Sequence, residues 1–249
     1  MAVLFEKTKL LTDKQFHYCP GCNHGIIHRL VAEVLDEMNL QGKVIGVAPV
    51  GCSVFAYDYF NCDMYEAAHG RAPAVATGIK RSRPDNVVFT YQGDGDLASI
   101  GMAETVHACM RGENITIIFI NNGIYGMTGG QMAPTTMPGE KATTCVYGRD
   151  PKVNGNPVRM CEMLATLTGP AYIERVSVYD VPHVNKTKAA IKKAFQMQME
   201  KKGLSFIEVV ANCPTNYHMT ALESMQFVKE KGCEFYPLGV YKDITKEEK

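Results

Sequence analysis

The chain has 249 residues, 46% of them hydrophobic, with 26 basic and 26 acidic side chains and no net charge. That length suits one large α/β domain over residues 1–249 with a sizeable core, and the neutral balance offers no basic patch for nucleic acid or for an anionic membrane. The opening MAVLFEKTKLL is too short and too charged for a signal peptide, and no apolar run of about 18 residues is present to span a bilayer. Nine cysteines, an odd number, point to thiols or metal ligands in a reducing, cytoplasmic compartment and not to a disulfide framework.

Apolar spacing at Ile26, Ile27, Leu30, Val31, Val34 and Leu35 predicts a helix over 25–39. Residues 43–50 (KVIGVAPV) read as a strand. Residues 66–81 read as a helix of small side chains, Ala67, Ala68, Ala72, Ala74, Ala76 and Gly78 among them. Continuous apolar runs predict buried strands at 86–91 and 114–120, with a helix over 99–111 between them. From Gly123 to Gly155 the chain is rich in Gly, Pro, Thr and Met and has little periodicity; a long irregular segment inside a compact domain is usually functional. A helix near 159–168, a strand at 171–178, a helix at 185–202 and a strand at 205–211 follow. The charged residues 242–249 read as a frayed tail. Alternating strands and helices imply the α/β class, a parallel sheet with helices on both faces, with ligands at the carboxyl ends of the strands. Cys52, Asp94, Asn122 and Cys213 all fall just past strand ends, so four chemically capable positions converge on one edge.

The run from Gly93 to Asn122 carries the sharpest signal. Gly93-Asp94-Gly95-Asp96 is followed by a helix, a strand and Asn121-Asn122, with 25 residues between Gly95 and Asn121. This is the spacing of a thiamine diphosphate motif. Gly93 and Gly95 let the backbone turn sharply and approach a phosphate. Asp94 supplies a hard oxygen for Mg²⁺, which favours octahedral oxygen ligands and phosphate co-ligands; Asn122 adds an amide oxygen and Ile124 a carbonyl. A helix opening near Ser99 points N–H groups toward the anion. The bland alternative is a plain Gly-Asp-Gly turn, but that leaves the Asn-Asn at this distance without a role.

Cys19-Pro20-Gly21-Cys22 precedes a helix and has three readings: a redox dithiol with one thiol activated by the helix N-terminus, half of a zinc site, or half of a [4Fe–4S] ligand set. Cys52 and Cys213, beside Gly and Pro at strand ends, are candidates for the other half or are merely buried. Cys109 and Cys161 lie on predicted helices and read as core thiols; Cys62, Cys145 and Cys233 have no obvious partner.

These segments, with His69-Gly70-Arg71, Asn122-Gly123-Ile124-Tyr125-Gly126-Met127-Thr128-Gly129-Gly130-Gln131 and Cys213-Pro214-Thr215, resemble the β subunit of 2-oxoacid:ferredoxin oxidoreductases, in the same order from about residue 16 to about 216. The resemblance implies the pyrophosphate-binding domain of a thiamine diphosphate-binding fold. It implies that Cys19, Cys22, Cys52 and Cys213 ligate a [4Fe–4S] cluster and that Asp94, Asn122 and the Ile124 carbonyl bind Mg²⁺. It further implies that the thiamine diphosphate is lined by Val50, Gly51, Cys52 and Ser53, by His69, by Gly93, Gly95 and Asp96, and by Gly126 and Met127. His69 is then a phosphate donor, Arg71 a brace for its loop, and His17 and His24 neighbours of the cluster.

In such a family the reaction is oxidative decarboxylation of a 2-oxoacid to CO₂ and, with coenzyme A, an acyl-CoA, the electrons passing to ferredoxin. No catalytic residue is assigned to this chain. The aminopyrimidine half of the site, with the glutamate that activates the cofactor, lies on a companion α subunit or domain, and there is room for γ and ferredoxin-like δ subunits. Some members carry a lysine shortly after Gly-Cys-Ser; here the stretch is Val54-Phe55-Ala56-Tyr57. An apolar wall there favours a branched-chain 2-oxoacid over 2-oxoglutarate. The rival readings are a non-redox thiamine enzyme with a structural metal site and a subunit whose CPGC is a dithiol.

Overall fold

A computed structural model of the protein describes residues 6–247. Seven strands form one sheet: β1 (Val44–Ala48), β2 (Asp63–Glu66), β3 (Val87–Gly93), β4 (Thr116–Asn121), β7 (Pro170–Ser177), β8 (Leu204–Val210) and β9 (Gly239–Asp243), in the order β2-β1-β3-β4-β8-β7-β9. Two short strands, β5 (Ile124–Tyr125) and β6 (Gln131–Met132), pair as a hairpin outside it. All pairings in the large sheet are parallel except that of β9, which runs antiparallel along β7.

The continuous apolar runs have a direct cause. Successive side chains of a strand point to opposite faces, and both faces here are covered. Phe89, Tyr91, Ile118 and Ile120 pack with the helices His24–Glu37 and Val181–Met199. Val88, Ile117 and Phe119 pack on the other side with the helices Ala72–Ser82, Met102–Met110 and Met160–Ala165. Cys109 and Cys161 are fully buried in this second layer, as core thiols.

One buried feature had no signature in the sequence pattern. Arg175 on β7 and Glu208 on β8 are both inaccessible and pair at 2.9 Å. Arg175 also reaches Glu162 through two bonds of 3.0 and 2.5 Å. Glu208 in turn accepts a 2.7 Å bond from Asn121 Nδ2 at the end of β4. A charged chain thus runs beneath the carboxyl edge of the sheet and fixes the residue beside Asn122.

Three expectations need correction. The helix expected over 66–81 begins only at Ala72, because 63–66 pair as β2 and Gly70 turns with φ +78°. A Cβ on Gly70 would lie 2.6 Å from the Gly101 nitrogen, so this turn presses directly on the next one. The helix expected over 99–111 opens earlier, as a π-helical turn over Asp96–Ile100 capped by Gly95, and continues as Met102–Met110; such turns gather at functional sites. The tail is not frayed over its first part: Lys242 and Asp243 belong to β9 and Ile244–Glu247 form a helical turn, while 248–249 lie outside the described residues.

Candidate cofactor site

The carboxyl ends of β1 to β4 open on a cleft of about 580 Å³, counting its mouth. The loop after β1 contributes Val50, Gly51, Cys52 and Ser53; the loop after β2 contributes His69; Gly93, Asp94, Gly95 and Asp96 follow along β3; Asn122, Ile124, Gly126 and Met127 follow β4. Every residue expected to meet the diphosphate or its metal therefore lines one space. His24, Tyr125 and Thr128 line it too.

Asp94 is 2% exposed. Its Oδ1 accepts the Gly95 N–H at 2.8 Å and its Oδ2 the Thr135 hydroxyl at 2.6 Å. Burial outweighs these bonds and pushes the carboxyl up to about 6; a cation at this point would favour the ionised form. Asn122 accepts the Tyr217 hydroxyl on its carbonyl at 2.5 Å. The donor set at these strand ends is a carboxylate, an amide oxygen and a backbone carbonyl, all hard oxygens that suit Mg²⁺. The Ser53 hydroxyl is buried with no hydrogen-bond partner among the described residues, which a phosphate oxygen in the cleft would supply. Gly95 is required by packing: a Cβ there would fall 2.1 Å from the Tyr125 ring, whose hydroxyl donates to the Gly95 carbonyl at 3.2 Å.

Asp96 acts at one remove. It accepts His69 Nδ1 and the Gly70 N–H, both at 2.6 Å, and Gln92 Nε2 at 2.7 Å. Its carboxylate orients the His69 ring and ties the loop after β2 to the end of β3. Arg71 turns to Glu104 as an ion pair and braces that loop. Behind Asn122 lies Glu140, whose Oε1 sits 3.0 Å from where a Cβ of Gly123 would be and has no hydrogen-bond partner among the described residues. Its Oε2 accepts the Met137 N–H at 2.8 Å. Burial, with the Asp94 charge adding to it, pushes this carboxyl up to about 8.

The four cysteines gather beside the cleft. The Cys19–Cys22 turn closes with a 3.0 Å backbone bond and a positive φ at Gly21. A Cβ on Gly126 would lie 3.3 Å from Cys52 Sγ and 3.4 Å from Cys213 Sγ, so these sulfurs flank one glycine. Burial first, then the charges of the other three cysteines, pushes the Cys22 thiol up to about 12; Cys52 rises to about 12 through burial and then Cys213 and Cys19. Metal-free, these thiols are protonated; a bound metal would displace the protons. The Cys22 sulfur accepts the His24 backbone N–H. Among the described residues no group of three or more His, Cys, Asp or Glu side chains is arranged to hold one metal ion. Two asparagines join the loops: Asn23 N donates to Asn212 Oδ1 at 2.9 Å, Asn212 N donates to Asn23 Oδ1 at 3.0 Å, and Asn212 Nδ2 donates to the Gly21 carbonyl at 3.0 Å.

His17 and His24 are held by tyrosines, Nδ1 lying 2.6 Å from the Tyr59 hydroxyl and 2.8 Å from the Tyr91 hydroxyl respectively. Burial takes His24 down to about 3, so its ring is neutral. The stretch Val54-Phe55-Ala56-Tyr57 is not among the cleft's lining residues. Ala56 enters the core and Phe55 packs edge-on against His17 at 4.8 Å.

Residues 49–209 match the model of the thiamine pyrophosphate enzymes' C-terminal TPP binding domain. Ketoisovalerate oxidoreductase subunit VorA of Methanothermobacter thermautotrophicus is 50% identical over 98% of this chain and 51% of its own length. 2-Oxoglutarate synthase subunit KorB of Methanocaldococcus jannaschii is 40% identical over 93% of this chain and 82% of its own. A solved 2-oxoglutarate:ferredoxin oxidoreductase from Magnetococcus marinus, with 2-oxoglutarate, coenzyme A and succinyl-CoA bound, is similar with a TM-score of 0.77 at 25% identity, over 96% of this chain and 85% of that one. The chain spans about half the length of the VorA proteins it matches.

Proposed function

The chain belongs to the thiamine pyrophosphate enzymes, in the group of the 2-oxoacid:ferredoxin oxidoreductase β subunits, and from that premise we propose that it forms the diphosphate-binding and first electron-accepting half of such an enzyme. The activity is oxidative decarboxylation of a 2-oxoacid to CO₂ and, with coenzyme A, an acyl-CoA, with electrons delivered to ferredoxin. A branched-chain 2-oxoacid is favoured as substrate, because the relative at 50% identity is named for ketoisovalerate and the 2-oxoglutarate synthase subunit stands at 40%.

The observation that carries the redox reading is the sharing of Cys52 and Gly126 between two groups. Both line the cleft, and the sulfurs of Cys52 and Cys213 flank Gly126. A non-redox thiamine enzyme has no use for four cysteines at this place. Asp94, Asn122 and the Ile124 carbonyl would hold Mg²⁺. Ser53 and His69 would donate to phosphate oxygens, with Asp96 fixing the His69 ring. Cys19, Cys22, Cys52 and Cys213 would hold a [4Fe–4S] cluster. When bound, the thiamine supplies the carbanion and electron sink and the cluster accepts single electrons. The loops after β1 and β4 would contribute residues to both groups.

The companion α subunit or domain supplies the aminopyrimidine half, and γ and ferredoxin-like δ subunits complete the route to ferredoxin. The assembly is read as cytoplasmic; among the described residues no helix is long and apolar enough to cross a membrane.

The test is anaerobic purification with companion subunits, followed by iron, acid-labile sulfide and a 2-oxoacid screen. About four irons per chain with a broad band near 400 nm, and faster turnover of 3-methyl-2-oxobutanoate than of 2-oxoglutarate, support the reading. A colourless protein with one zinc or none overturns its redox part.

A further inference from the structure

We infer that Asn216 is a positioning residue that couples the cysteine set to the diphosphate cleft, through one side-chain amide shared between Cys213 and Gly126. The inference rests on the function proposed above. Asn216 Nδ2 donates to Cys213 Sγ at 3.2 Å and to the Gly126 carbonyl at 3.0 Å. An amide NH₂ carries two hydrogens, so both bonds form at once. The backbone N–H of Asn216 donates to the same sulfur. The other edge of the amide is fixed as well: a Cβ on Gly130 would lie 2.9 Å from Asn216 Oδ1, so the side chain lies flush against the loop that holds Gly126 and Met127.

The residue's setting leaves little freedom. Asn216 belongs to the single turn Pro214–Tyr217 that follows Cys213, closed by the Tyr217 N–H on the Cys213 carbonyl at 2.9 Å. The next side chain, Tyr217, donates to the Asn122 carbonyl at 2.5 Å. Two adjacent residues of one turn therefore touch the metal side of the cleft and the sulfur of a cluster ligand.

The consequence follows from charge. An N–H aimed at a coordinating sulfur stabilises the more negative, reduced form of a cluster and so raises its potential. The same amide is bound to the carbonyl of a cleft-lining glycine. Occupation of the cleft that shifts Gly126 alters the bond to Cys213, and the cluster's potential responds to the cofactor. Reciprocally, reduction of the cluster changes the affinity for the diphosphate by the same factor.

The experiment is an EPR-monitored redox titration of the cluster in the assembled complex, with and without thiamine diphosphate and Mg²⁺, in the parent and in Asn216→Leu, which keeps the shape and removes the donor. The expected result is a shift of the one-electron equilibrium toward the oxidised cluster by roughly tenfold, about 59 mV, with the cofactor-induced change in potential lost. Asn216→Ser, which retains a shorter donor, should recover part of the shift, as a purely structural role would not. If Asn216→Leu fails to assemble, Asn216→Asp gives the same reading, with a larger shift of the same sign because a carboxylate faces the thiolate. Variants with full iron content and the parent's potential would overturn the inference and leave the proposed function standing. A parent protein without iron and sulfide would remove the function itself, and this inference with it.

Discussion

The two sides of the cleft are built by different means. Asp94 and Asn122 stand at the ends of β3 and β4, which pair through Gly93 and Ile120 and are buried along their length. Cys19 and Cys22 precede the first long helix, on a loop that belongs to no strand, and Cys19 is exposed. Strand ends place the candidate oxygen ligands together with Cys52 and Cys213, whereas the side-chain amides of Asn23 and Asn212 fix the loop that carries Cys19 and Cys22. The contrast teaches that the oxygen side is preorganised by the sheet, while the sulfur side takes its final geometry from the group it binds.

The strongest way to break this comparison is a pair of substitutions with opposite losses. Asp94→Ala should weaken Mg²⁺-dependent thiamine diphosphate binding by more than about 100-fold, measured by calorimetry, and leave the cluster absorbance intact. Cys213→Ser should remove that absorbance and leave the thermal transition of the sheet in place. Loss of the absorbance in Asp94→Ala would mean that the two sides are one unit. Next in size, Arg175→Ala leaves Glu208 buried and unpaired, which should cost about 3–5 kcal/mol in denaturant unfolding. Because Glu208 also holds Asn121, diphosphate affinity should fall in the same variant while iron content does not.

Glu140 sharpens the comparison through pH. Its carboxyl is pushed up to about 8 in the fold, from 4.5 in an unfolded chain. The folded state therefore holds the proton more tightly, and the stability this gives is full below 4.5 and is lost as the pH rises through 8. The cofactor-free protein should lose up to about 1.4 kcal/mol per pH unit between 4.5 and 8 and no more above that, and Glu140→Gln should flatten the decline in melting temperature across that window. The smallest effect belongs to Thr135→Val. Removing one hydroxyl from Asp94 should change Mg²⁺ affinity about fivefold, for roughly 1 kcal/mol, read by metal titration. An unchanged affinity would show that Asp94 needs no support from the loop.

Much of the site was legible because a parallel sheet brings strand ends to one edge, and continuous apolar runs revealed the strands. Asp94, Asn122, Cys52 and Cys213 could be placed together on that ground alone. The residues that were missed share a different property. Thr135, Asn212, Asn216 and Arg175 are polar groups that each bond a partner far along the chain, and no local period reports such pairings. Thr135 was hidden in a segment without repeating pattern, although its position inside a long irregular stretch was a usable signal. The helix over 66–81 was misplaced because alanines satisfy helical spacing as well outside a helix as inside one, while Gly70 at positive φ breaks the run.

The order of the strands also sets an order of assembly. β1, β3 and β4 are neighbours in the sheet and follow one another closely in sequence, so the candidate oxygen ligands can be in place once residue 124 has left the ribosome. β4 pairs next with β8, Thr116 opposite Ser205, and Asn23 meets Asn212 across 189 residues. Contacts over such separations form late in folding. A nascent chain thus carries Cys19, Cys22 and Cys52 as open thiols until Cys213 has been translated, and a group that needs all four cysteines would be inserted only after that point.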